Sequence, residues 1–280
     1  GRLVRTLLLF AAASLLVSLA STRIVTPSPL VADHATTVRP GLTLSEIRQR
    51  LDMAPSTVHR VLVTLAARGV AESDPATQAW HVGPTAFRHG SAFMRRSGLV
   101  ERARPMLRRL MEVTGETANL GILNGDAVLF LSQAETFKTI RAFFPPGTRS
   151  ELHASGIGKA LLAHIRPEEL RQMLAGMTLK RFTDKTLCEL PELHEDLARI
   201  RERGYSLDNE ERTPGMRCIA APIFDLTGEA AAGISVSGPT LRMSDDLLES
   251  MSDAVISAAR ELSMGMSPLH EPPGWHRHES

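Results

Sequence analysis

The chain has 280 residues, 43% of them hydrophobic, which is enough for one large or two ordinary domains with a buried core. One Tyr and two Trp argue against a stacking surface for single-stranded nucleic acid. Cys188 and Cys218 are too few for a disulfide framework and lack metal-ligand spacing, so we expect a cytoplasmic protein.

The charges are unevenly distributed along the chain, although the formal net charge is only +1. Residues 41–109 contain 11 Arg and 5 acidic residues, whereas residues 110–264 contain 16 basic and 23 acidic residues. Because nucleic acid attracts cationic protein surfaces, this asymmetry predicts that only the first part binds it.

The first forty residues contain an apolar segment and a loop. In Gly1–Ala20, two arginines precede the apolar run Leu7–Leu19, which is the outline of a secretory signal and is too short to span a membrane comfortably. The alternative is a buried first helix, which we favour if the segments that follow form a DNA-binding domain, because export would make no sense for such a protein. Ser21–Pro40 has three prolines and no period, so we expect a loop that makes residues 1–40 an atypical extension.

Two helices separated by a tight turn are predicted next. Thr43–Leu51 begins with a capping box, in which Thr43 is followed three residues later by Glu46. Asp52–Ala54 forms the turn, and Ala54–Gly69 follows as the recognition helix of a helix-turn-helix, with an apolar stripe formed by Val58, Val61, Leu62 and Leu65. The residues expected to contact DNA are Thr43, Pro55, Ser56, Thr57, His59, Arg60 and Thr64.

A hairpin over Val70–Val82 is predicted after this helix, with its turn at Asp74-Pro75 and with Trp80 and Val82 on the return strand. A hairpin in this position is a wing, whose tip can reach the flanking DNA backbone or minor groove. Residues 1–83 are therefore assigned to a winged helix-turn-helix domain that binds double-stranded operator DNA.

The segment Pro84–Ser97 is predicted to be a linker helix, assigned to residues 84–98, with Phe87 and Phe93 facing inward and arginines at 88, 95 and 96 facing outward.

From Thr117 the apolar period changes, and strands and helices mix. The predicted strands are Thr117–Leu123, Ala127–Gln133, Thr139–Phe144, Tyr205–Asn209, Cys218–Phe224 and Ala230–Ser237. The predicted helices are Leu99–Thr114, Gly158–His164, Pro167–Ala175, Glu189–Arg203 and Ser244–Met264. This order predicts an antiparallel α+β sensor domain over residues 99–266. The tail at 267–280 contains His270, His276 and His278, and we expect it to be disordered and without a functional metal site.

Two stretches resemble the signatures of IclR-type bacterial transcriptional regulators: SELHASGIGKALLA at 150–163 and GYSLDNEERTPGMRCIAAPIFDLTGEAAAGISVSGP at 204–239. STVHR at 56–60 is also similar to the recognition helix of that family. The resemblance covers residues 41–264 and implies a winged helix-turn-helix, a linker helix and a GAF-like effector domain. It departs from the family at Ser21–Pro40, where a short connection is expected.

The resemblance also implies an effector site for a small organic acid, in a family with members that bind glyoxylate or pyruvate. The implied positions are Gly156, Ile157, Asp208, Cys218, Ser235 and Ser237. The residue types suit this chemistry, because Ser235 and Ser237 project from the same side of one strand and hydroxyl donors suit a carboxylate. Met216 and Ala142 are expected to supply an apolar wall. The alternative is structural: Cys218 as a core residue, Asp208 closing a loop with Arg212 or Arg217, and turn glycines.

These patterns predict a ligand-responsive transcription factor, a homodimer or tetramer without cofactor or membrane association, in which a bound acid alters operator binding. Repressor and activator remain open. One alternative is a cysteine-dependent enzyme with Cys218 as nucleophile and His153 or His194 as base, although no local signature supports that pairing. The other is an exported small-molecule-binding protein.

Overall fold

A computed structural model describes residues 41–266, apart from the side chains of residues 93–97 and 266. These residues form two compact units, 41–97 and 98–266, which are treated separately below. The expectations for Gly1–Ala20, Ser21–Pro40 and the tail at 267–280 lie outside the described residues.

The first unit consists of three helices and a small antiparallel sheet. In chain order its elements are β1 (Leu42–Thr43), α1 (Leu44–Leu51), α2 (Pro55–Ala66), β2 (Ala71–Ser73), β3 (Ala79–Val82) and α3 (Pro84–Ser97). The strand order is β1-β3-β2, so the predicted hairpin is present and gains one short strand from the segment before α1.

Local chemistry explains where the first two helices begin. Thr43 caps α1 through a full capping box with Glu46. Asp52 adopts a left-handed conformation, with φ of 48°, and turns the chain between the helices. Pro55 occupies the first turn of α2, where its missing N–H costs no hydrogen bond.

Helix α2 ends three residues before the predicted boundary, at Ala66. The chain leaves it through a Schellman-type turn, in which the Val70 N–H donates to the Leu65 carbonyl at 3.0 Å and the Gly69 N–H donates to the Ala66 carbonyl at 2.9 Å. Gly69 has the positive φ, 65°, that this turn requires.

The core of the first unit lies between α1, α2 and the sheet. Ile47, Val58 and Leu62 are buried there with Leu42, and Trp80 packs against them. Of the predicted stripe on α2, Val58, Leu62 and Leu65 are buried and Val61 is half-buried.

The inward orientation predicted for Phe87 on α3 is wrong. Its side chain is 77% exposed, and the contact of α3 with the wing strand β2 does not cover it. The orientations predicted for Phe93, Arg95 and Arg96 lie outside the described side chains. Arg88 is exposed, as expected.

The second unit is a six-stranded antiparallel sheet flanked by helices. Its elements are α4 (Leu99–Thr114), β4 (Thr117–Asn124), β5 (Ala127–Ala134), β6 (Arg149–Glu151), α5 (Gly156–Leu162), α6 (Pro167–Ala175), α7 (Leu190–Arg203), β7 (Ser206–Asn209), β8 (Met216–Phe224), β9 (Ala230–Pro239) and α8 (Asp245–Met266). The strand order is β6-β5-β4-β9-β8-β7, which confirms the predicted α+β class with an antiparallel sheet.

The two faces of this sheet are covered by different helices. Helices α4 and α8 pack against β4, β5, β8 and β9, and the short helix α5 packs against β7, β8 and β9. On the α5 side the core includes Ile157 and Leu161 together with Leu193 and Leu197 of α7. Between Ser235 and Ser237, Val236 projects to the opposite face and is fully buried.

The strand predicted at Thr139–Phe144 is wrong. The free edge of β5 is taken by residues 147–151, since Leu129 pairs with Arg149 and the Phe130 N–H donates to the Thr148 carbonyl at 2.9 Å. Residues 139–144 therefore have no strand to pair with, and Phe144 instead stacks on Phe130 with ring centroids 4.8 Å apart.

Helix α5 begins earlier than predicted, at Gly156 rather than Gly158. Ser155 is the cap, and its Oγ accepts a hydrogen bond from the Gly158 N–H at 3.3 Å. Within residues 41–266, no helix is long and apolar enough to cross a membrane, and no group of three His, Cys, Asp or Glu side chains is arranged to hold a metal ion.

Candidate functional site

The exposed face of α2 carries several of the residues predicted to contact DNA. Ser56, His59 and Arg60 are exposed, Pro55 is exposed at the first helical position, and Thr57 is half-buried. The first turn of a helix has N–H groups without intrahelical partners. These amides, a hydroxyl and an arginine are suited to phosphates and base edges.

Two other predicted DNA contacts have hydroxyl groups that are already engaged. Thr43 Oγ1 donates to Glu46 Oε2 at 3.0 Å and accepts from the Glu46 N–H at 3.3 Å. Thr64 Oγ1 donates to the Arg60 carbonyl at 2.7 Å. Because a phosphate needs a donor, either hydroxyl must leave its present partner before it can bind the DNA backbone.

The wing carries acidic charge. Between Arg68 and Arg88 the sequence has no lysine or arginine, and both Glu72 and Asp74 lie in or next to β2. Hydrogen bonds from the Thr77 hydroxyl and the Ala76 N–H lower the pKa of Asp74, so this carboxylate stays charged. Contact between the wing tip and a phosphate is therefore electrostatically unfavourable, and α2 is the better candidate for reading DNA.

The second unit contains a cavity on the α5 side of the sheet, with about 470 Å³ of empty space including its mouth. It is lined by Phe130, Phe144, Ser150, Ala154, Ser155, Gly156, Ile157, Asp208, Arg212, Thr213, Met216, Arg217, Cys218, Ser235 and Ser237. All six positions implied by the family resemblance are in this lining. Met216 also lines it, whereas Ala142 is buried and is not among the lining residues.

The strand register brings the polar lining residues together from distant parts of the chain. Asp208 on β7 pairs with Cys218 on β8, and Cys218 pairs with Ser237 on β9. Paired residues project to the same face of a sheet, so the three side chains form one row. Ser235 lies two positions from Ser237 and belongs to the next row on the same face.

The first residue of α5, Gly156, approaches this row. A Cβ on residue 156 would lie 2.7 Å from Cys218 Sγ, so only glycine fits there without displacing the sulfur. The Gly156 carbonyl accepts a 2.5 Å hydrogen bond from the Ser206 hydroxyl, which holds the start of α5 against β7.

Cys218 is half-buried, and its thiol is not an activated nucleophile. Burial and the neighbouring Asp208 raise its pKa to about 11, so the thiol is neutral near pH 7. The two histidines considered as bases are elsewhere: His153 is buried, with Nε2 2.9 Å from the Lys180 carbonyl oxygen, and His194 is exposed on α7. Neither histidine lines the cavity.

A buried ion cluster lies behind Asp208. Lys159 is fully buried on α5, and its Nζ donates to Asp196 Oδ2 at 2.7 Å, to Glu211 Oε1 at 2.6 Å and to the Leu207 carbonyl at 2.8 Å. Burial raises the pKa of Asp208 to about 6, although the charge of Lys159 acts in the opposite direction. Burial also raises the pKa of Glu211 to about 7, again opposed by Lys159.

Several residues around the cavity were not identified from the sequence. They are Asn119 behind the serines, the stacked pair Phe130 and Phe144, Lys159, and Arg212, which lies over the Phe182 ring at 4.1 Å and is paired with Glu151. A lysine in the apolar stretch SGIGKALLA was a signal for a buried ion pair. The other contacts join segments that are far apart in sequence.

Comparisons with known proteins agree on one family. Residues 35–75 match the model of the IclR helix-turn-helix domain, and residues 91–264 match that of the bacterial transcriptional regulator IclR C-terminal domain. The chain is 84% identical over 231 residues to the HTH-type transcriptional regulator BhcR of Paracoccus denitrificans, covering 82% of this chain and 83% of that protein.

Two further proteins are more distant. The HTH-type transcriptional repressor AllR of Escherichia coli is 38% identical over 224 residues, covering 80% of this chain and 83% of AllR. The crystal structure of the Thermotoga maritima IclR is similar with a TM-score of 0.67 at 26% identity, covering 92% of this chain and 98% of that one.

Proposed function

The chain belongs to the IclR family of bacterial transcriptional regulators, and on this premise we propose that a small 2-oxo acid bound in the cavity controls its binding to operator DNA. The observation that carries the proposal is the row of Asp208, Cys218 and Ser237, which Gly156 at the start of α5 approaches closely. It collects polar groups from three strands at one wall of the cavity, which also has apolar side chains in its lining.

The lining of the cavity favours a small acid. Ser235 and Ser237 supply hydroxyl donors, and the neutral Cys218 thiol supplies a weak one. Phe130, Phe144 and Met216 supply apolar surface for a short carbon chain. A few convergent donors on an otherwise apolar wall are typical of a small-ligand site.

The DNA-binding surface in this proposal is the exposed face of α2. Arg60 reaches phosphates or base edges, with Ser56, Thr57 and His59 beside it and the amides of the first turn near Pro55. A homodimer or tetramer would present two such helices to successive major grooves of a pseudo-palindromic operator in the cytoplasm. The ligand acts by binding one arrangement of the oligomer more tightly than another.

A catalytic role for Cys218 is not favoured. Nucleophilic catalysis needs a thiol within hydrogen-bond reach of a base, and neither His153 nor His194 lines the cavity. The raised pKa of the thiol also leaves very little thiolate at neutral pH.

Two variants separate the DNA and ligand sites. Arg60→Ala should weaken binding to a DNA fragment selected from a random library by the wild-type protein, and leave the thermal shift with glyoxylate or pyruvate unchanged. The double variant Ser235→Ala and Ser237→Ala should lose the thermal shift and keep DNA binding. Arg181→Ala and Ser250→Ala, both at exposed positions of the second unit, are the matched controls. An unchanged ligand titration in the double variant would overturn the assignment of the cavity.

A further inference from the structure

One buried polar side chain contacts both serines of the cavity without lining the cavity itself. Asn119 on β4 is fully buried, and its Nδ2 donates to Ser235 Oγ at 3.5 Å and to Ser237 Oγ at 3.4 Å. The register explains the geometry, because Asn119 pairs with Ser235 across the β4–β9 ladder and Ser237 is its diagonal neighbour.

The direction of these hydrogen bonds matters for the ligand. A serine hydroxyl has one hydrogen to donate and two lone pairs. When the Asn119 amide donates to both oxygens, each serine uses a lone pair on that side and keeps its hydrogen for another acceptor. The geometry points to Asn119 as the positioning residue that makes Ser235 and Ser237 donors toward the cavity, and so selects a carboxylate over a neutral ligand of the same shape. This inference rests on the proposed function.

The surroundings of the amide favour this orientation. Asn119 Oδ1 is buried and accepts no hydrogen bond from the described residues. The residue opposite Asn119 on the other neighbouring strand, β5, is Gln133, whose Nε2 is a donor that likewise has no partner within the described part of the chain. The serines lie on β9, so the amide of Asn119 points its NH2 donor toward β9 and its oxygen away from the serines.

When Cys218 ionises, its thiolate can accept hydrogen bonds from the same two serine hydroxyls. Its ease of ionisation therefore shows where those hydroxyl hydrogens point. Its ionised form is opposed by burial and by Asp208, and it is favoured by hydrogen bonds from Ser237 and Ser235. If Asn119 directs the hydroxyl hydrogens into the cavity, its loss should disfavour the thiolate even when no effector is present.

The first test measures this thiolate in the full chain with Cys188→Ser, which leaves Cys218 as the reactive cysteine. The probe is alkylation by iodoacetamide, in which the thiolate displaces iodide, measured as a function of pH. Asn119→Leu, which is similar in volume and has no donor, should slow the reaction at a fixed pH by about 10-fold, corresponding to about one unit of pKa. In the Ser235→Ala and Ser237→Ala background the same substitution should have no effect.

The second test uses calorimetry with pyruvate and with pyruvamide, its neutral amide. The wild type should prefer pyruvate, and Asn119→Leu should reduce that preference by about 10-fold. When Asn119→Leu is added to the Ser235→Ala and Ser237→Ala variant, the preference between the two ligands should not change further. Asn119→Ala, which removes the donor without adding a charge, should reduce the preference in the same direction and replaces the leucine variant if that one does not fold.

The outcomes separate the inference from the proposed function. Unchanged alkylation and unchanged ligand preference in both Asn119 variants would overturn the role of Asn119. Faster alkylation would also overturn it, because it would mean that the amide oxygen faces the serines. If the wild type binds neither pyruvate nor glyoxylate, the proposed effector class fails. The alkylation rates of Asn119→Leu, with and without the two serine substitutions, still decide the role of Asn119.

Discussion

Gly156 and Cys218 are packed so closely that a methyl group on residue 156 would lie 2.7 Å from the Cys218 sulfur. The contact joins the start of α5 to strand β8, at the point where the polar row meets the cavity. The shape of the cavity therefore depends on one glycine and one small side chain.

The first prediction follows from this contact. Gly156→Ala should displace the Cys218 sulfur or the start of α5. It should weaken binding of pyruvate or glyoxylate by at least about 10-fold, which corresponds to a loss of about 1.4 kcal/mol of binding free energy. Calorimetry measures the change. Adding Cys218→Ala removes the clashing atom, so the double variant should regain thermal stability relative to Gly156→Ala. No regain would contradict the close packing.

The second prediction concerns the buried ion cluster. Lys159→Met removes the cation between Asp196 and Glu211, and should lower the free energy of unfolding by about 3–5 kcal/mol because two buried carboxylates lose their partner. Arg171→Met is the matched control, since its pair with Glu168 is exposed and should contribute less than about 1 kcal/mol. Urea unfolding of both variants gives the comparison, and equal effects would contradict the account.

The third prediction is that ligand affinity depends on pH. Asp208 lines the cavity with a pKa raised to about 6 by burial, so it is protonated below that pH and charged above it. A bound carboxylate favours the protonated form, so the affinity for pyruvate should fall as pH rises from 5.5 to 8, by up to about tenfold per pH unit.

The group responsible can be identified by substitution. The charges of Lys159 and Arg212 oppose the rise in the pKa of Asp208, and Glu211 also has a raised pKa, to about 7. Asp208→Asn should therefore flatten most of the pH dependence measured by calorimetry. If this variant keeps the full slope, another group is responsible.

The fourth prediction concerns the acidic wing. Glu72→Lys changes the local charge by +2 and should increase affinity for DNA at low salt by roughly 3–10-fold, with a steeper dependence on salt. Fluorescence anisotropy over a series of salt concentrations is the measurement. Glu249→Lys, at an exposed position on α8, makes the same charge change far along the chain. An equal effect of the two substitutions would show that overall charge, not the wing, is responsible.

Local signals in the sequence were sufficient for most elements. The capping box of Thr43 and Glu46 and the hairpin turn at Asp74-Pro75 depend on residues a few positions apart. Such short-range chemistry gives the start of a helix or the position of a hairpin directly.

The failures depend on long-range pairing. Residues 139–144 alternate like a strand, but the edge of β5 is occupied by residues that come later in the chain. Phe87 looks like a core residue by its spacing, yet no apolar surface of the first unit covers it. Asn119 is 116 residues from Ser235, and only the register of β4 and β9 brings them together.

The central claim is that the cavity and the DNA-binding surface are coupled. The most direct measurement is the affinity of the wild type for its selected DNA fragment, by fluorescence anisotropy, with and without saturating glyoxylate or pyruvate. We predict a change of 5–150-fold, the range of typical allosteric coupling, and a matching change in ligand affinity when DNA is bound. The Ser235→Ala and Ser237→Ala variant should show no change. Ligand binding that leaves the wild-type affinity for DNA unaltered would contradict the account.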